Sequence, residues 1–357
     1  MPYLTAPEDL SDLLPEEPRY RTDQVCRWLY RNPVLDAENM TNLPLALRKR
    51  LSKDLWPFTV ETEHVSDAAA TRKWLFRAPG GASIETVLMG YPKRATLCIS
   101  SQAGCAMGCT FCATGQFGFE RHLRAGEIVA QVAYAAASLR DHPMVHVPDH
   151  ITNVVFMGMG EPLANYGNVA EALRRMIDVM GMSARSITIS TVGVVPGIDR
   201  LTASGRKVNL AVSLHGASDE VRSRLVPLNE RYDLESIIAA CRRYFDMTGR
   251  RISIEWTLIR DKNDTEDQAH RLAEVARRLR AHVNVIALNP TPLSPDQPPR
   301  APAIRRFMTT LSNDGINATL RDTRGRDIDA ACGQLRVRAA TDHETEPGSL
   351  AQTGGVG

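Results

Sequence analysis

Three closely spaced cysteines, Cys105, Cys109 and Cys112, are the strongest chemical signal in the chain. Their Cys-x3-Cys-x2-Cys spacing places three thiolates on one short loop, directly after an apolar run that predicts a strand. Most iron–sulfur clusters take four cysteines, so three would leave one iron of a [4Fe–4S] cluster open to another ligand. A structural zinc site completed by Cys98 or His122 is the alternative. Zinc ligands usually come as two separated pairs and the sequence has no second pair, so the spacing favours a cluster.

The composition of the whole chain limits the class of protein. Its 357 residues can bury a full core and predict one large domain with one or two appendages. The 43 basic and 41 acidic residues leave a formal charge of +2, which neither requires nor excludes a nucleic-acid partner. The acidic start lacks a signal-peptide pattern, and no apolar run approaches the ~20 residues of a membrane span. Seven cysteines, three of them clustered, suit a reducing compartment, so we expect a soluble cytoplasmic protein.

The first 93 residues predict two appendages. Helical spacing of apolar residues indicates a helical accessory domain over residues 1–58. One of its helices carries Arg48, Lys49 and Arg50 on a single face, which is either a solvated surface or an RNA contact. Residues 59–93 then read as a linker of short β-strands around the turn Pro79-Gly-Gly81.

From residue 94 the pattern changes to alternating strands and helices. Six apolar runs of strand length alternate with helical patterns over residues 94–312, which predicts an α/β fold with a parallel sheet. That sheet is either open and doubly wound or an incomplete barrel. Residues 313–340 hold one further strand and a loop with Cys332, and we expect a disordered polar tail over residues 341–357. The six strand candidates are Ala95–Ile99, Ile151–Met157, Ser186–Ile189, Val208–Leu214, Ile252–Ile259 and Val283–Leu288.

Small or hydrogen-bonding residues follow most of these strands. In parallel α/β folds, ligands bind at the carboxyl ends of the strands. Each signal is weak alone, since a serine after a strand is often a helix cap and a histidine can be a satisfied core residue. Their coincidence behind a cluster motif predicts one binding site for a polar cofactor. The strand-end groups are Cys98, Gly158–Pro162 with Glu161, Ser190-Thr191, Ser213-Leu214-His215 and Asn289-Pro290.

The cysteine loop, with Phe111 before its last cysteine, resembles the signature of the radical S-adenosylmethionine (radical SAM) superfamily. Within it, residues 18–335 closely resemble the dual-specificity rRNA/tRNA adenine-C2 methyltransferases of the RlmN type. Two small departures are Tyr20, where phenylalanine is common, and His122, where asparagine is common. The matching motifs are Tyr20–Gln24, Ile84–Val87, Arg94–Cys98, the cysteine loop through Phe119, the strand-end groups above and Arg324–Leu335.

The resemblance implies a fold, cofactors and substrates. The implied fold is a (β/α)6 partial TIM barrel with a small N-terminal helical accessory domain. The implied cofactors are one [4Fe–4S] cluster on Cys105, Cys109 and Cys112, and SAM, of which two molecules are used per turnover. The substrates are an adenosine in the peptidyl-transferase region of 23S rRNA and the adenosine 3′ of certain tRNA anticodons. The residues implied to hold SAM are Gly160, Glu161, Ser190, Ser213, Leu214, His215 and Asn289.

The resemblance also implies roles for three catalytic residues. Cys332 accepts a methyl group from one SAM, and a radical generated from a second SAM activates that S-methyl group for addition to C2 of adenine. Glu85 accepts the C2 proton, and Cys98 attacks the sulfur of Cys332 to release the product, leaving a disulfide. An external electron donor of the flavodoxin or ferredoxin type is implied, and we expect a monomer.

Without the resemblance, these three residues are more ambiguous. Cys98 ends a strand seven residues before the cluster loop, which favours a functional position. Cys332 lies beside Gly333 on a predicted loop, and a mobile catalytic thiol and a buried structural thiol are equally compatible with that position. A glutamate on a short strand, such as Glu85, more often faces solvent. Cys26 and Cys241 lie within amphipathic helical patterns and are interpreted as core residues.

The sequence carries only weak signals for RNA recognition. An enzyme that modifies a base must take it out of the stack, and RNA is read mainly at unpaired bases. Phosphate contacts through basic side chains predict a salt-sensitive affinity. The candidates are Arg48, Lys49, Arg50, Arg121, Arg124, Arg321, Arg324 and Arg326.

Two other functions remain open from the sequence. The sister family that methylates C8 of the same adenine shares the cluster, both cysteines and the mechanism. A zinc-stabilised RNA-binding protein without catalysis belongs to a different class, but it would have no use for Cys332 or for the Gly-Met-Gly-Glu-Pro turn.

Overall fold

The computed structural model describes residues 1–66, 70–291, 293–321, 328–330 and 333–335. Ten strands form one sheet, in the order β1-β2-β3-β4-β7-β8-β9-β10-β11-β12, and two more form a separate ribbon. In chain order the strands are β1 (Thr59–Val65), β2 (Thr71–Arg77), β3 (Ser83–Tyr91), β4 (Arg94–Cys98), β5 (Gln102–Gly104), β6 (Phe119–His122), β7 (Asn153–Phe156), β8 (Ile187–Thr191), β9 (Asn209–Ser213), β10 (Ile252–Leu258), β11 (His282–Ala287) and β12 (Ala318–Leu320).

Seven strands, β4 and β7 to β12, are parallel to one another, and helices connect them. The two edges of the sheet, β1 and β12, are not paired with each other among the described residues, so the barrel is incomplete. The predicted α/β class with a partial barrel is therefore confirmed, including its last strand. The α-helices are α1 (Leu10–Leu13), α2 (Arg19–Tyr30), α3 (Leu45–Ser52), α4 (Ala113–Gln116), α5 (Ala125–Asp141), α6 (Tyr166–Arg174), α7 (Val195–Ala203), α8 (Asp219–Leu225), α9 (Leu234–Thr248), α10 (Glu266–Leu279) and α11 (Ala301–Asn313).

Capping residues set the ends of the outer helices. Asp233 accepts a hydrogen bond from the Ser236 amide at the start of α9, and Gly249 ends the same helix with a left-handed φ of 65°. Thr265 caps α10 in the same way, by accepting from the Gln268 amide. Local sequence therefore fixes where these helices begin and end.

The three strands β1 to β3 extend the barrel sheet in antiparallel fashion. The sequence predicted only a linker of short strands here, but β3 pairs directly with β4, the first barrel strand. Val87 of β3 lies between Lys73 of β2 and Cys98 of β4 in the register, so the three residues share one face of the sheet. This extension places residues of β2 and β3 beside Cys98, at the carboxyl end of β4.

Aromatic packing joins the accessory helices to the barrel. Trp56 stacks on Tyr3 with ring centroids 5.0 Å apart, and Phe58 stacks on Phe76 of β2 at 4.1 Å. Tyr134 of α5 meets Trp56 and Phe76 edge-on. Apolar residues of the accessory helices and of the barrel belong to one hydrophobic core. Among the described residues, no helix has the length and hydrophobicity needed to cross a bilayer.

The extreme N-terminal segment is fixed against α5. The buried guanidinium of Arg175 donates hydrogen bonds to the carbonyl oxygens of Tyr3 (2.9 Å) and Thr5 (3.1 Å). Gly126 of α5 lies so close that a Cβ there would be 1.9 Å from the Tyr3 carbonyl oxygen. Only glycine at position 126 permits this contact.

Replacing Gly126 with alanine should displace the N-terminal segment and lower stability by about 1–3 kcal/mol, the usual range for overpacking. Gly167 provides the matched control, because it is also the second residue of a helix and a Cβ there meets nothing within 4 Å. Gly167→Ala should be neutral or stabilising by up to about 1 kcal/mol. Thermal unfolding of both variants measures the difference. Equal melting temperatures for the two variants would contradict the proposed contact.

Candidate active site

The short ribbon of β5 and β6 forms the base of the cysteine loop. The Cys105 amide donates to the Gly118 carbonyl at 2.7 Å, which closes the loop. Gly104 has a φ of 70°, and a Cβ there would lie 2.1 Å from the Gly118 oxygen, so glycine is required. Cys105, Cys109 and Cys112 all line one cavity at the carboxyl edge of the barrel. The structure thus brings the three predicted ligands together.

Burial favours the neutral thiol form of Cys105 and Cys109 when no metal is bound. Desolvation raises the pKa of Cys105 to about 12, and it raises the pKa of the fully buried Cys109 as well. Negative charge on neighbouring cysteines would raise both pKa values further. Three thiolates in one buried loop therefore need a bound cation, and ligand deprotonation is coupled to metal binding.

The Gly-Met-Gly-Glu turn after β7 packs tightly against the chain that follows β4. A Cβ on Gly158 would lie 2.7 Å from the Ile99 carbonyl oxygen. A Cβ on Gly160, where φ is 98°, would lie 2.5 Å from the Gln102 side chain. Both glycines line the cavity of the cysteines, so main-chain groups of the turn can approach a ligand there.

Glu161 is held in place through its carboxylate and its amide. One carboxylate oxygen accepts from the Leu163 amide and the other from the Val192 amide, each at 2.9 Å. The Glu161 amide donates to the Gln102 side chain at 2.8 Å. Burial raises the pKa of this carboxyl to about 7, although these hydrogen bonds oppose the shift. The Thr191 side chain also hydrogen-bonds to this carboxylate, whose roughly four lone-pair sites still leave room for a donor in the cavity.

Two serines and a histidine line the same cavity as the cysteines. The hydroxyl oxygens of Ser190 and Ser213 lie 3.3 Å apart. His215 adopts a left-handed φ of 59° and its Nδ1 accepts from the Thr257 amide at 3.0 Å. The neutral ring therefore carries its proton on Nε2. Burial, and to a lesser degree the charge of Arg222, lowers the pKa of His215 to about 3.

A second cavity of about 390 Å³ continues from the first into the barrel. The two cavities share the wall residues Met157, Glu255 and Ile286. Cys98, at the end of β4, lines the second cavity and is only 6% exposed. The resulting arrangement has a thiol-lined cavity at the strand ends, joined to a larger one that contains Cys98.

Glu85 forms a buried ion pair beside Cys98. Its carboxylate lies 3.0 Å from the Lys73 ammonium, and both side chains are less than a tenth exposed. Lys73, Glu85 and Cys98 share one face of the sheet through the register of β2, β3 and β4. The solvent-facing position usual for a glutamate on a short strand does not apply here, because β3 is covered on both faces.

Cys332 lies outside the described residues, but its neighbours on both sides are placed. Lys73 donates to the Asp329 carbonyl at 3.2 Å. On the other side, the Ala113 amide donates to the Gly333 carbonyl at 2.9 Å, and the Thr114 hydroxyl donates to the Leu335 carbonyl at 2.7 Å. Gly333 lines the first cavity, whereas Ala330 and Leu335 line the second. The described residues on either side of positions 331 and 332 therefore line both cavities.

Family models match two parts of the chain. The model of the radical SAM superfamily matches residues 99–273, and that of the ribosomal RNA large subunit methyltransferase N-terminal domain matches residues 11–55. A probable dual-specificity RNA methyltransferase RlmN of Thermobifida fusca is 47% identical over 94% of this chain and 96% of its own length. Its counterpart in Rhodococcus opacus is 48% identical over 89% of both chains. The chain belongs to the RlmN family of radical SAM methyltransferases.

A solved structure supports the same family assignment. A radical SAM methyltransferase from Sphaerobacter thermophilus superposes with a TM-score of 0.88 at 47% identity, covering 94% of this chain and 98% of that one. Membership of the radical SAM superfamily implies a [4Fe–4S] cluster and SAM.

The donor set fits a cluster better than a zinc ion. Neither Cys98 nor His122, the candidate fourth zinc ligands, lines the cavity of the three cysteines. Within the described part of the chain, no three His, Cys, Asp or Glu side chains are arranged around a single metal ion. A cubane cluster places each thiolate on a different iron, so its ligands need not converge on one point. The two candidate fourth ligands are therefore not placed to complete a zinc site with the three cysteines.

Not every residue predicted for this RlmN-family site contacts the first cavity. The Leu214 side chain lies in the hydrophobic core, so only its main chain is near the strand end. Asn289 lines the second cavity instead of the first. Among the basic candidates, Arg121 is bound by both oxygens of Glu127, and Arg324 and Arg326 lie outside the described residues.

Three site residues were missed by the sequence reasoning. Gln102 orients Glu161, Lys73 pairs with Glu85, and Glu255 forms part of both cavities. Each is a polar residue within a predicted strand or next to one. Alternation within β10 places Glu255 on the lumen side with Ser253 and Thr257, and that polar face was the one available signal.

The buried neutral His215 should make stability depend on pH. Between about pH 6.5, the ordinary value in an unfolded chain, and pH 3, the unfolded state binds a proton that the folded state does not. The free energy of unfolding should therefore fall as pH drops through this window. Urea unfolding of the metal-free protein across the window should show a weaker pH dependence in His215→Asn than in the wild type. Identical pH dependence would contradict a buried neutral imidazole.

Proposed function

We propose that this chain methylates C2 of adenosine in RNA. The proposed targets are an adenosine in the peptidyl-transferase region of 23S rRNA and the adenosine 3′ of the anticodon in tRNAs. The names of the relatives and the family model over residues 11–55 support RNA as the substrate. The observation that carries the proposal is that the described neighbours of Cys332 line both cavities: Gly333 lines the thiol-lined cavity, and Ala330 and Leu335 line the cavity with Cys98.

The cofactor ligands follow from the walls of the first cavity. Cys105, Cys109 and Cys112 would hold the cluster, and the Glu161 carboxylate would accept from the SAM ammonium. Ser190, Ser213 and the Nε2–H of His215 offer hydrogen bonds to a ribose or carboxylate. We also assign Gly160, the main chain of Leu214, and Asn289 from the adjoining cavity. With the cluster bound, SAM would supply both the methyl group and the radical chemistry that an electron-poor carbon requires.

The protein's own contribution is to carry and orient the methyl group. The Cys332 thiolate would accept the methyl group by displacement and hold it as a thioether at the junction of the cavities. One SAM would be consumed in this step and a second in activating the S-methyl group. The hydrogen bonds to Asp329, Gly333 and Leu335 would limit the positions that this sulfur can reach.

Glu85 and Cys98 would complete the reaction. Glu85 would accept the C2 proton, and the Lys73 ammonium, 3.0 Å from its carboxylate, would hold that group in position. The Cys98 thiolate would then attack the Cys332 sulfur to form a Cys98–Cys332 disulfide. The methylene carbon released from that sulfur would take up a proton to become the methyl group of the product, and one electron would return to the cluster. A reductant outside the chain must restore the thiols, and a flavodoxin- or ferredoxin-type protein would supply electrons to a monomeric enzyme.

Product analysis tests the proposed function. Anaerobically purified wild type should be brown with about four irons per chain, and it should convert RNA adenosine to 2-methyladenosine, identified by nuclease digestion and mass spectrometry. Cys105→Ala should lose the iron and the product. Cys26→Ala, at a half-buried cysteine outside the cavity, should keep both.

The possible outcomes separate the alternatives. An 8-methyladenosine product would assign the chain to the chemistry of the sister family. A colourless wild type that holds one zinc ion and forms no methylated base would overturn the enzymatic proposal.

Glu85→Gln should trap the covalent intermediate, because a neutral amide cannot accept the C2 proton. The expected result is a protein–RNA adduct, visible on a denaturing gel, together with little free product. Glu63→Gln is the matched control, since Glu63 lies on the exposed strand β1 and should turn over normally. Normal product formation by Glu85→Gln would exclude Glu85 as the proton acceptor.

A further inference from the structure

The lumen of the barrel, which contains the second cavity, is polar over most of its length. The side chains on its wall alternate along the strands, as expected for the inner face of a barrel. Barrel interiors are usually filled with packed branched aliphatic side chains. Here the wall is lined mainly by hydroxyl, amide and charged groups, so the lumen is built to hold a polar ligand. The polar wall residues between its two ends are Thr96, Asn153, Thr188, Ser253, Glu255 and Asn284.

Some of these polar groups are only partly satisfied by the protein. The Thr96 hydroxyl is buried and has no hydrogen-bond partner among the described residues. The Asn284 amide donates to one oxygen of the Glu255 carboxylate at 2.8 Å. The remaining lone pairs of that carboxylate, and the Asn284 carbonyl oxygen, are suitable acceptors for an exocyclic amino group. Such a group is present on adenine.

The amino-terminal edge of the lumen is positively charged. Arg94 and Arg251 line the cavity at this edge and are exposed to solvent. In the described part of the chain, no carboxylate lies within ion-pair distance of either guanidinium. Arg94 is stacked on the ring of Tyr91 at 4.4 Å, which orients it without neutralising it. Arg251 donates from Nε to the Arg280 carbonyl at 3.2 Å, which likewise orients it without neutralising it. Exposed arginines without a carboxylate partner favour phosphate contacts, and the Tyr91 ring beside Arg94 favours stacking on a base.

The depth of the lumen suits one nucleotide. Cys98 and Arg94 are the two ends of the same strand, so they are separated by about 13 Å along it. When the Arg94 side chain extends along the lumen, the distance from its guanidinium to Cys98 becomes roughly equal to the distance between a base and its phosphate. A base placed beside Cys98 would therefore put its phosphate near the guanidinium groups.

The accessory region contacts this same end of the barrel. Arg140, in the last turn of α5, hydrogen-bonds to the Pro33 carbonyl. Arg31 donates to the Met180 carbonyl, just before β8 begins. Both contacts lie on the side where strands start. RNA that reaches the amino-terminal edge could therefore also contact the accessory helices.

We propose that the target nucleotide enters the barrel from the amino-terminal ends of the strands, opposite to the cofactor edge. Arg94 and Arg251 hold its flanking phosphates, and the base lies between Cys98 and the Glu255–Asn284 pair. This inference rests on the proposed function, since it assigns the route by which that reaction's substrate reaches the site. It divides the barrel into a cofactor end and a substrate end.

RNA binding to the anaerobic holoprotein tests the route. The probe is a short RNA hairpin with one unpaired adenosine, compared with the same hairpin carrying an abasic residue there. Arg94→Ala and Arg251→Ala should each weaken binding several-fold and reduce the slope of log affinity against log salt by about one. Arg242→Ala is the matched control, because Arg242 is exposed on α9 away from both cavities. SAM binding and iron content should be unchanged in all three variants.

Photo-crosslinking gives a readout that does not depend on activity. With 4-thiouridine beside the target adenosine, crosslinks should map to peptides that contain Tyr91–Arg94 or Arg250–Ser253. Crosslinks confined to the cysteine-loop edge, with normal affinity in both arginine variants, would overturn the route even if the wild type methylates the hairpin. Crosslinks at the expected peptides without methylation would support the route and contradict the proposed reaction. Equal affinity of the wild type for the two hairpins would overturn the placement of the base in the lumen, whereas the methylation assay alone decides the proposed reaction.

Discussion

The cofactor cavity depends on one buried carboxylate. Glu161 accepts from the amides of Leu163 and Val192, so it joins the turns that follow β7 and β8. Its own amide is held by Gln102, which starts the base of the cysteine loop. Burial makes this carboxyl costly to ionise and raises its pKa to about 7, and the two amide donors offset part of that penalty. A single residue, through its carboxylate and its amide, thereby joins three loops whose relative positions define the cavity.

The C-terminal segment uses the same loop as an anchor. Ala113 and Thr114, which directly follow Cys112, hold the carbonyl oxygens of Gly333 and Leu335. On its other side, the Lys73 ammonium binds both the Asp329 carbonyl and the Glu85 carboxylate. The segment is thus attached to the cysteine loop at one end and to the sheet extension at the other. Any rearrangement of the cysteine loop must change the position of this segment, since the two share hydrogen bonds.

Much of this architecture could be predicted from local sequence. The predicted strands and helices follow from apolar periodicity, and the cysteine loop and the Gly-Met-Gly-Glu turn follow from spacing and residue type. The burial of Glu85 could not be predicted in this way, because it depends on β2 and β4 pairing on either side and on aromatic packing from the accessory region. Likewise, the Lys73 ammonium donates a hydrogen bond to the carbonyl of Asp329, which is 256 residues away in the chain. Only tertiary structure brings such partners together.

The cysteines illustrate how the fold separates chemical roles that composition cannot. Cys241 lies in the core on α9, where burial raises its pKa to about 12, so it is an unreactive packing residue. Cys109 is equally buried, and burial raises its pKa too, yet it lines a cavity beside two other thiols. Burial alone therefore does not distinguish a ligand from a packing residue. The distinction lies in whether the sulfur faces a space that a cation can enter, and the parallel strand ends provide that space for only one group of cysteines among the described residues.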